Sequence, residues 1–180
     1  MLTIKDIKYK TEKKFEKIQL YNNIYGFQIQ PNTKFLKGIS NKEIDKLQIL
    51  FGFDFPWDYR KMLLILTNLD TPMISISPED NSNIKYSEDN FFYNYPEDFK
   101  KAIWLFEDIH EFKIEVESVL TEAGFDVSQI VGYIPMHSHR AIVVFKNKYL
   151  SPVISVMGSD IIVYGNDLKK YLENEFLYRF

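Results

Sequence analysis

Three short runs of β-branched residues crowd the end of the chain: "AIVVF" (141–145), "PVISV" (152–156) and "IIVY" (161–164). Branching at Cβ restricts χ1 and suits a pleated, partly buried surface, so each run is predicted to be a strand. Gly158 and Ser159 fall between the last two, where a two-residue hairpin loop with glycine first would place them. Upstream the hydrophobic period is helical. This division predicts an α+β fold, an antiparallel sheet packed against segregated helices. The 180 residues, 46% of them hydrophobic, suffice for one domain spanning 1–180 with a sizeable core.

The strongest helix signal is "GISNKEIDKLQILFGF" (38–53). Ser40 can cap the open amides of a helix start, Glu43 reaches back to complete a capping box, and Ile39 with Ile44 has the spacing of a hydrophobic staple. Ile44, Leu47 and Phe51 form an apolar stripe, and Gly52 stands where a helix can end left-handed. A second helix is predicted in "FDFPWDYRKMLLILTNL", with Pro56 at the first helical position, Asp58 against the positive end of the dipole, and Tyr59, Met62, Leu63 and Leu66 at helical spacing. Before this pair, "FEKIQLYNNIYGFQIQP" predicts a hairpin turning at Asn22 and Asn23 within an N-terminal extension, 1–37. After it, residues 71–96 lose period and read as a long loop or a short irregular strand pair. Helical spacing returns at Pro96, Phe99, Ile103 and Phe106 and continues through Phe112, Val116, Val119 and Ala123 to Gly124, although "FKIEVE" by itself also alternates like a strand. A closing helix is expected after Asn166, its cap, with Leu168, Tyr171, Leu172 and Phe176 inward.

Charge and composition exclude several functions. A net charge of −3 and a pI near 5.7 do not supply the diffuse basic surface that binding to a phosphate backbone needs, so no direct nucleic-acid contact is expected. There is no cysteine, which removes disulfides and thiolate chemistry. The opening lacks the apolar stretch of a signal peptide, and no run is long enough to span a bilayer; a cytoplasmic protein is the expectation. Charge is unevenly spread. Residues 70–98 carry Asp70, Glu79, Asp80, Glu88, Asp89, Glu97 and Asp98 against Lys85, whereas residues 1–20 are net basic. The acidic segment reads as a solvated loop or as a face that steers a basic partner.

"HSHR" (137–140) holds two of the three histidines. On a regular strand His137 and His139 would share a face, but a stable metal site wants a third ligand that the sequence does not mark, so no metal or cofactor is expected. Arg140 would point to the opposite face, and Asp160 is a candidate to pair with it and fix sheet register. No GxSxG elbow, GxGxxG or P-loop is present, and Glu79 with Asp80 falls in the least regular stretch, so no catalytic residue is nominated.

The stretch "ISNKEIDKLQILFGFDFPWDYRKMLLILTNLD" resembles the opening of the SUKH superfamily, which includes bacterial toxin-immunity proteins and a fungal cell-wall-assembly regulator. The resemblance is carried by Leu47, Phe51, Gly52, Phe55, Pro56, Asp58, Tyr59, Leu63, Leu66 and Asn68. The later "IPMHSHRAIVV" and "SPVISVMGSDIIVYGNDLKKYLENEF" look like its closing strands and helix, matching at His139, Arg140, Asp160, Tyr164 and Gly165 among others. The likeness covers 38–176 and is weak from 70 to 125. It implies a non-enzymatic domain that binds a cognate toxin, commonly a nuclease. From composition rather than the resemblance, the acids Glu79, Asp80, Glu88 and Asp89 are the candidates to face its basic site, and a monomer is favoured over an oligomer. A general scaffold module is the alternative, and a small metal-dependent hydrolase a more remote one.

Overall fold

The computed structural model describes residues 2–21, 24–78 and 84–178, with backbone alone at 77–78 and 84–88. The fold is α+β. Its centre is a four-stranded antiparallel meander, β6 (Ile130–His137), β7 (Arg140–Phe145), β8 (Val153–Met157) and β9 (Asp160–Gly165), ordered β6-β7-β8-β9. Met157 pairs with Asp160 across Gly158–Ser159, and Gly158 has φ 58°, the left-handed conformation that the tight turn demands.

Every residue of β7 is buried, which explains why "AIVVF" does not alternate with polar residues. Ile142 and Val144 face one core, with Ile134, Met136 and Val153, while Ala141, Val143 and Phe145 face another, with Ile154 and Val156. Helices cover both faces. On the first lie α1 (Ile4–Phe15), α2 (Asn41–Phe51), α3 (Trp57–Ile65) and α6 (Leu168–Leu172), the last continuing as a π-helical segment, Glu173–Tyr178. On the second lie α4 (Ile103–Glu111) and α5 (Lys113–Glu122). The continuous helical tract expected from 96 to 124 instead breaks at Phe112 into α4 and α5, and ends in a Schellman motif: Gly124 has φ 89°, and Phe125 N donates to Leu120 O at 3.0 Å.

Thr3 and Asp6 form a capping box on α1, and Ile4, Ile7, Thr11 and Phe15 bury its inner stripe. Phe15 meets Phe176 edge-on at 6.3 Å, so residues within the 1–37 segment share a core with the C-terminal helix. Among the described residues no strand precedes β1 (Gly26–Gln28) to pair with it in the hairpin expected there. β1 pairs with β4 (Met73–Pro78), whose other neighbour is β5 (Ile84–Asp89), and Asn22 and Asn23 lie outside the described residues. Gln28 takes the place of a partner strand: its side chain accepts from Tyr21 N at 2.9 Å and donates to Tyr21 O at 2.7 Å.

Ser40, Glu43 and Gly52 do on α2 what their spacing predicts. Gln48 extends the stop by accepting the amide of Phe55 at 2.8 Å, which turns the chain into α3. Pro56 sits one residue earlier than expected, at the cap of α3. Leu66, assigned above to the helical stripe, instead opens β3 (Leu66–Leu69), which pairs with β2 (Phe35–Lys37). The helix stops because the incoming chain occupies its end. Ile39 N donates to Leu63 O at 2.8 Å, and Gly38 packs on the Leu64 carbonyl. The cap of α6 is Asp167 rather than Asn166, accepting Lys170 N at 2.6 Å.

Candidate functional site

β6 ends at His137, and Ser138–His139 form the turn into β7, with Ser138 at φ 50°. The face-sharing expected of His137 and His139 therefore fails: only the first is on a strand. His139 turns away to Ser138, whose hydroxyl lies 3.1 Å from its Nδ1. His137 stacks on Phe91, ring centroids 4.0 Å apart, and its Nδ1 lies 3.1 Å from Arg140 Nη1. A guanidinium only donates, so Nδ1 accepts and the ring's proton resides on Nε2.

Arg140 itself is 6% exposed and forms an ion pair at 3.5 Å with Glu175, which is fully buried on the π-helical segment. Its guanidinium also lies 4.4 Å from the Tyr164 ring centroid. Glu175 thus takes the role that the sequence reading gave to Asp160. Asp160 is exposed opposite Met157 at the β8–β9 hairpin, where strand geometry carries it away from the buried face. Gly165 serves the same junction, since a Cβ there would lie 2.8 Å from Tyr171 N. Sequence reasoning missed Glu175; its only signal was an acid in an otherwise inward-facing helical tract.

Asp58 belongs to a second polar junction. It accepts from Tyr59 N at 2.8 Å and from the Ser151 hydroxyl, and Ser151 in turn accepts Leu168 N at 3.2 Å. One carboxylate thereby joins the start of α3, the approach to β8 and the start of α6. Burial raises its pKa above the ordinary carboxylate value, partly offset by the hydrogen bond from Ser151.

The aromatic tract "NFFYNYP" becomes a cover over the first core. Phe91 and Phe92 are buried, and Tyr93 N donates to Met136 O at 2.8 Å along the edge of β6. The Tyr95 hydroxyl donates to Pro135 O at 2.8 Å. Between this tract and α2–α3 lies a cleft of about 440 Å³. Ile39, Leu47 and Leu63 supply apolar walls, Tyr59 reaches in from α3, and Glu97 and Asp98 bring carboxylates.

Of the acids nominated for a partner, Glu79 and Asp80 lie outside the described residues, and Glu88 has only its backbone described, paired with Ile74. Asp89 is ion-paired with Lys101 and accepts Asn90 N at 2.8 Å. Among the described residues no group of three or more His, Asp or Glu converges as metal ligands would, and no helix is long and apolar enough to cross a membrane. The chain matches no protein-family model, no curated protein and no solved structure.

Proposed function

We propose that this chain is a SUKH-type protein-binding domain that neutralises a toxic partner by direct association rather than by catalysis. One observation carries the reading. The residues on which the resemblance rests come together at structural junctions: Gly52 and Pro56 set the α2–α3 corner, Asp58 ties α3 to α6, and Arg140 and Tyr164 bind the sheet to the C-terminal helix. A structural role for residues spaced along the sequence as in that superfamily supports this reading, and it leaves the surface to carry specificity. His139 and Asp160 stand outside these junctions, at two neighbouring hairpins of the same sheet.

The test is co-expression with the product of the adjacent gene. Rescue of growth from a toxic neighbour, with a stable complex on co-purification, supports neutralisation. A non-toxic neighbour, or rescue without any complex, rejects it. Stable binding to several unrelated non-toxic proteins would favour the scaffold module instead.

A further inference from the structure

The cleft between α2, α3 and the 90–98 tract has a chemistry that the scaffold junctions do not use. Tyr59 is 5% exposed and lines it, yet its hydroxyl finds no hydrogen-bond partner among the described residues. A nearly buried phenol normally pairs its oxygen, so this one is placed for something that enters. Burial raises its pKa, which keeps it neutral and able both to donate and to accept.

Charge in the cleft has one sign. Glu97 is exposed and has no ion-pair partner among the described residues, and Asp98 uses Oδ2 to accept Asn94 N at 2.7 Å. Among the described residues no lysine or arginine lines the cleft. It adjoins a groove between α2 and Pro96–Glu97, sharing Ile39, Leu47, Tyr95 and Glu97 with it, and Lys46 stands on that groove's wall. An occupant must therefore offer an apolar stem, several donors and a positive charge, with backbone continuing along the groove.

We infer that the cleft receives an arginine side chain of the partner protein, its stem on Ile39, Leu47 and Leu63 and its guanidinium held by Asp98, Glu97 and the Tyr59 oxygen. Arginine fits better than lysine because its five donors in a rigid fork can serve two carboxylates and a phenol together, and its plane stacks on aromatic rings. A protein fits better than a free metabolite because the adjoining groove gives the main chain somewhere to lie. This inference rests on the protein-binding reading for its source, but the cleft can be examined without any partner.

The experiment is an amide NMR titration of the full chain with N-acetyl-arginine methylamide, against N-acetyl-citrulline methylamide as its neutral isostere. Weak, saturable shifts confined to the neighbourhood of Thr67, Tyr93, Tyr95 and Glu97 are expected, with the citrulline probe clearly weaker. Tyr59→Phe should weaken the arginine probe roughly 2- to 10-fold, the net worth of one hydrogen bond, without moving the melting temperature. Glu97→Gln, which alters a surface carboxylate, should weaken it as well. Unsaturable or scattered shifts, equal binding of citrulline, or indifference to both variants overturns the inference. Sub-micromolar binding of free arginine would assign the cleft to a metabolite and overturn the partner as its source. The two readings fail separately. Undiminished complex formation by Tyr59→Phe and Glu97→Gln sinks the cleft alone, whereas cleft binding without rescue by the wild-type chain sinks neutralisation alone.

Discussion

The Asn68 side chain grips the backbone of Phe92 from both sides, donating to its carbonyl at 2.7 Å and accepting from its amide at 3.1 Å. Its nitrogen also donates to Asn94 Oδ1 at 2.9 Å, and its oxygen accepts Leu69 N at 2.8 Å. One side chain, 1% exposed, thus substitutes for a strand edge and holds the aromatic tract over the core. Asn68→Ala would strand several buried backbone groups at once, and each uncompensated group costs about 1–3 kcal/mol. Urea denaturation should show a loss of about 3 kcal/mol or more, since breaking a buried network belongs to the large-effect class. A loss below about 1 kcal/mol would mean that water replaces the amide readily.

The Arg140–Glu175 pair joins the sheet to the C-terminal helix from within the core. Removing one member of a buried pair leaves the other charge uncompensated, so Arg140→Ala should cost about 3–5 kcal/mol. Replacing both partners with apolar residues, Arg140→Met with Glu175→Leu, should recover much of that loss, because the desolvation penalty disappears with both charges. Thermal melts of the two single variants and the double variant form the cycle that tests this. Partner affinity of Arg140→Ala, measured below its melting temperature, should change less than its stability does, since Arg140 is 6% exposed and has little surface to offer.

Asp58 sets a pH dependence whose sign is unusual for a carboxylate. Burial raises its folded pKa above the ordinary value of 3.8, so between these two values the folded chain holds more protons than the unfolded one. Stability contributed by this group therefore falls as pH rises through that window. In Asp58→Asn the window is gone. The stability of the variant minus that of the wild type should rise with pH from about 4 upward and level off once Asp58 is ionised. A difference that stays flat, or falls, would show that the hydrogen bonds from Ser151 and Tyr59 outweigh burial.

How much of this was legible in the chain depended on whether the signal was local. Capping by Ser40 and Glu43, the left-handed stop at Gly52 and the Gly158 turn are set by neighbours within a few residues, and they appear where their spacing puts them. The end of α3 was not local. Leu66 keeps the helical period, but Ile39 and Gly38, far off in sequence, occupy the last turn and divert the chain into β3. The partner of Arg140 was hidden for the same reason: Asp160 is nearer along the chain, yet its strand places it at an exposed hairpin, and a π-helical segment delivers Glu175 instead. The signal for α1 is local too: Thr3 with Asp6 and the buried stripe Ile4, Ile7, Thr11 and Phe15 define it, but they are interleaved with the lysines of its solvent face, which mask the apolar period. Of the cleft, Tyr59 and Leu63 were visible as helical-stripe residues, but nothing in their spacing indicated that the 90–98 tract would fold back over them.

Two glycines separate backbone collision from side-chain collision. A Cβ on Gly38 would lie 2.2 Å from the Leu64 carbonyl carbon, and neither the end of α3 nor the approach to α2 can move without breaking the Ile39 to Leu63 hydrogen bond. A Cβ on Gly132 would lie equally close, 2.2 Å, to Phe53 Cε1, but that ring belongs to a partly exposed side chain that can rotate. Equal overlaps should therefore have unequal costs. Gly132→Ala should lose about 1–2 kcal/mol, the usual range for a core that yields around an added methyl, and Gly38→Ala more than about 3 kcal/mol. Paired denaturant titrations decide it, and equal losses would mean that the α2–α3 corner gives way as easily as a phenyl ring.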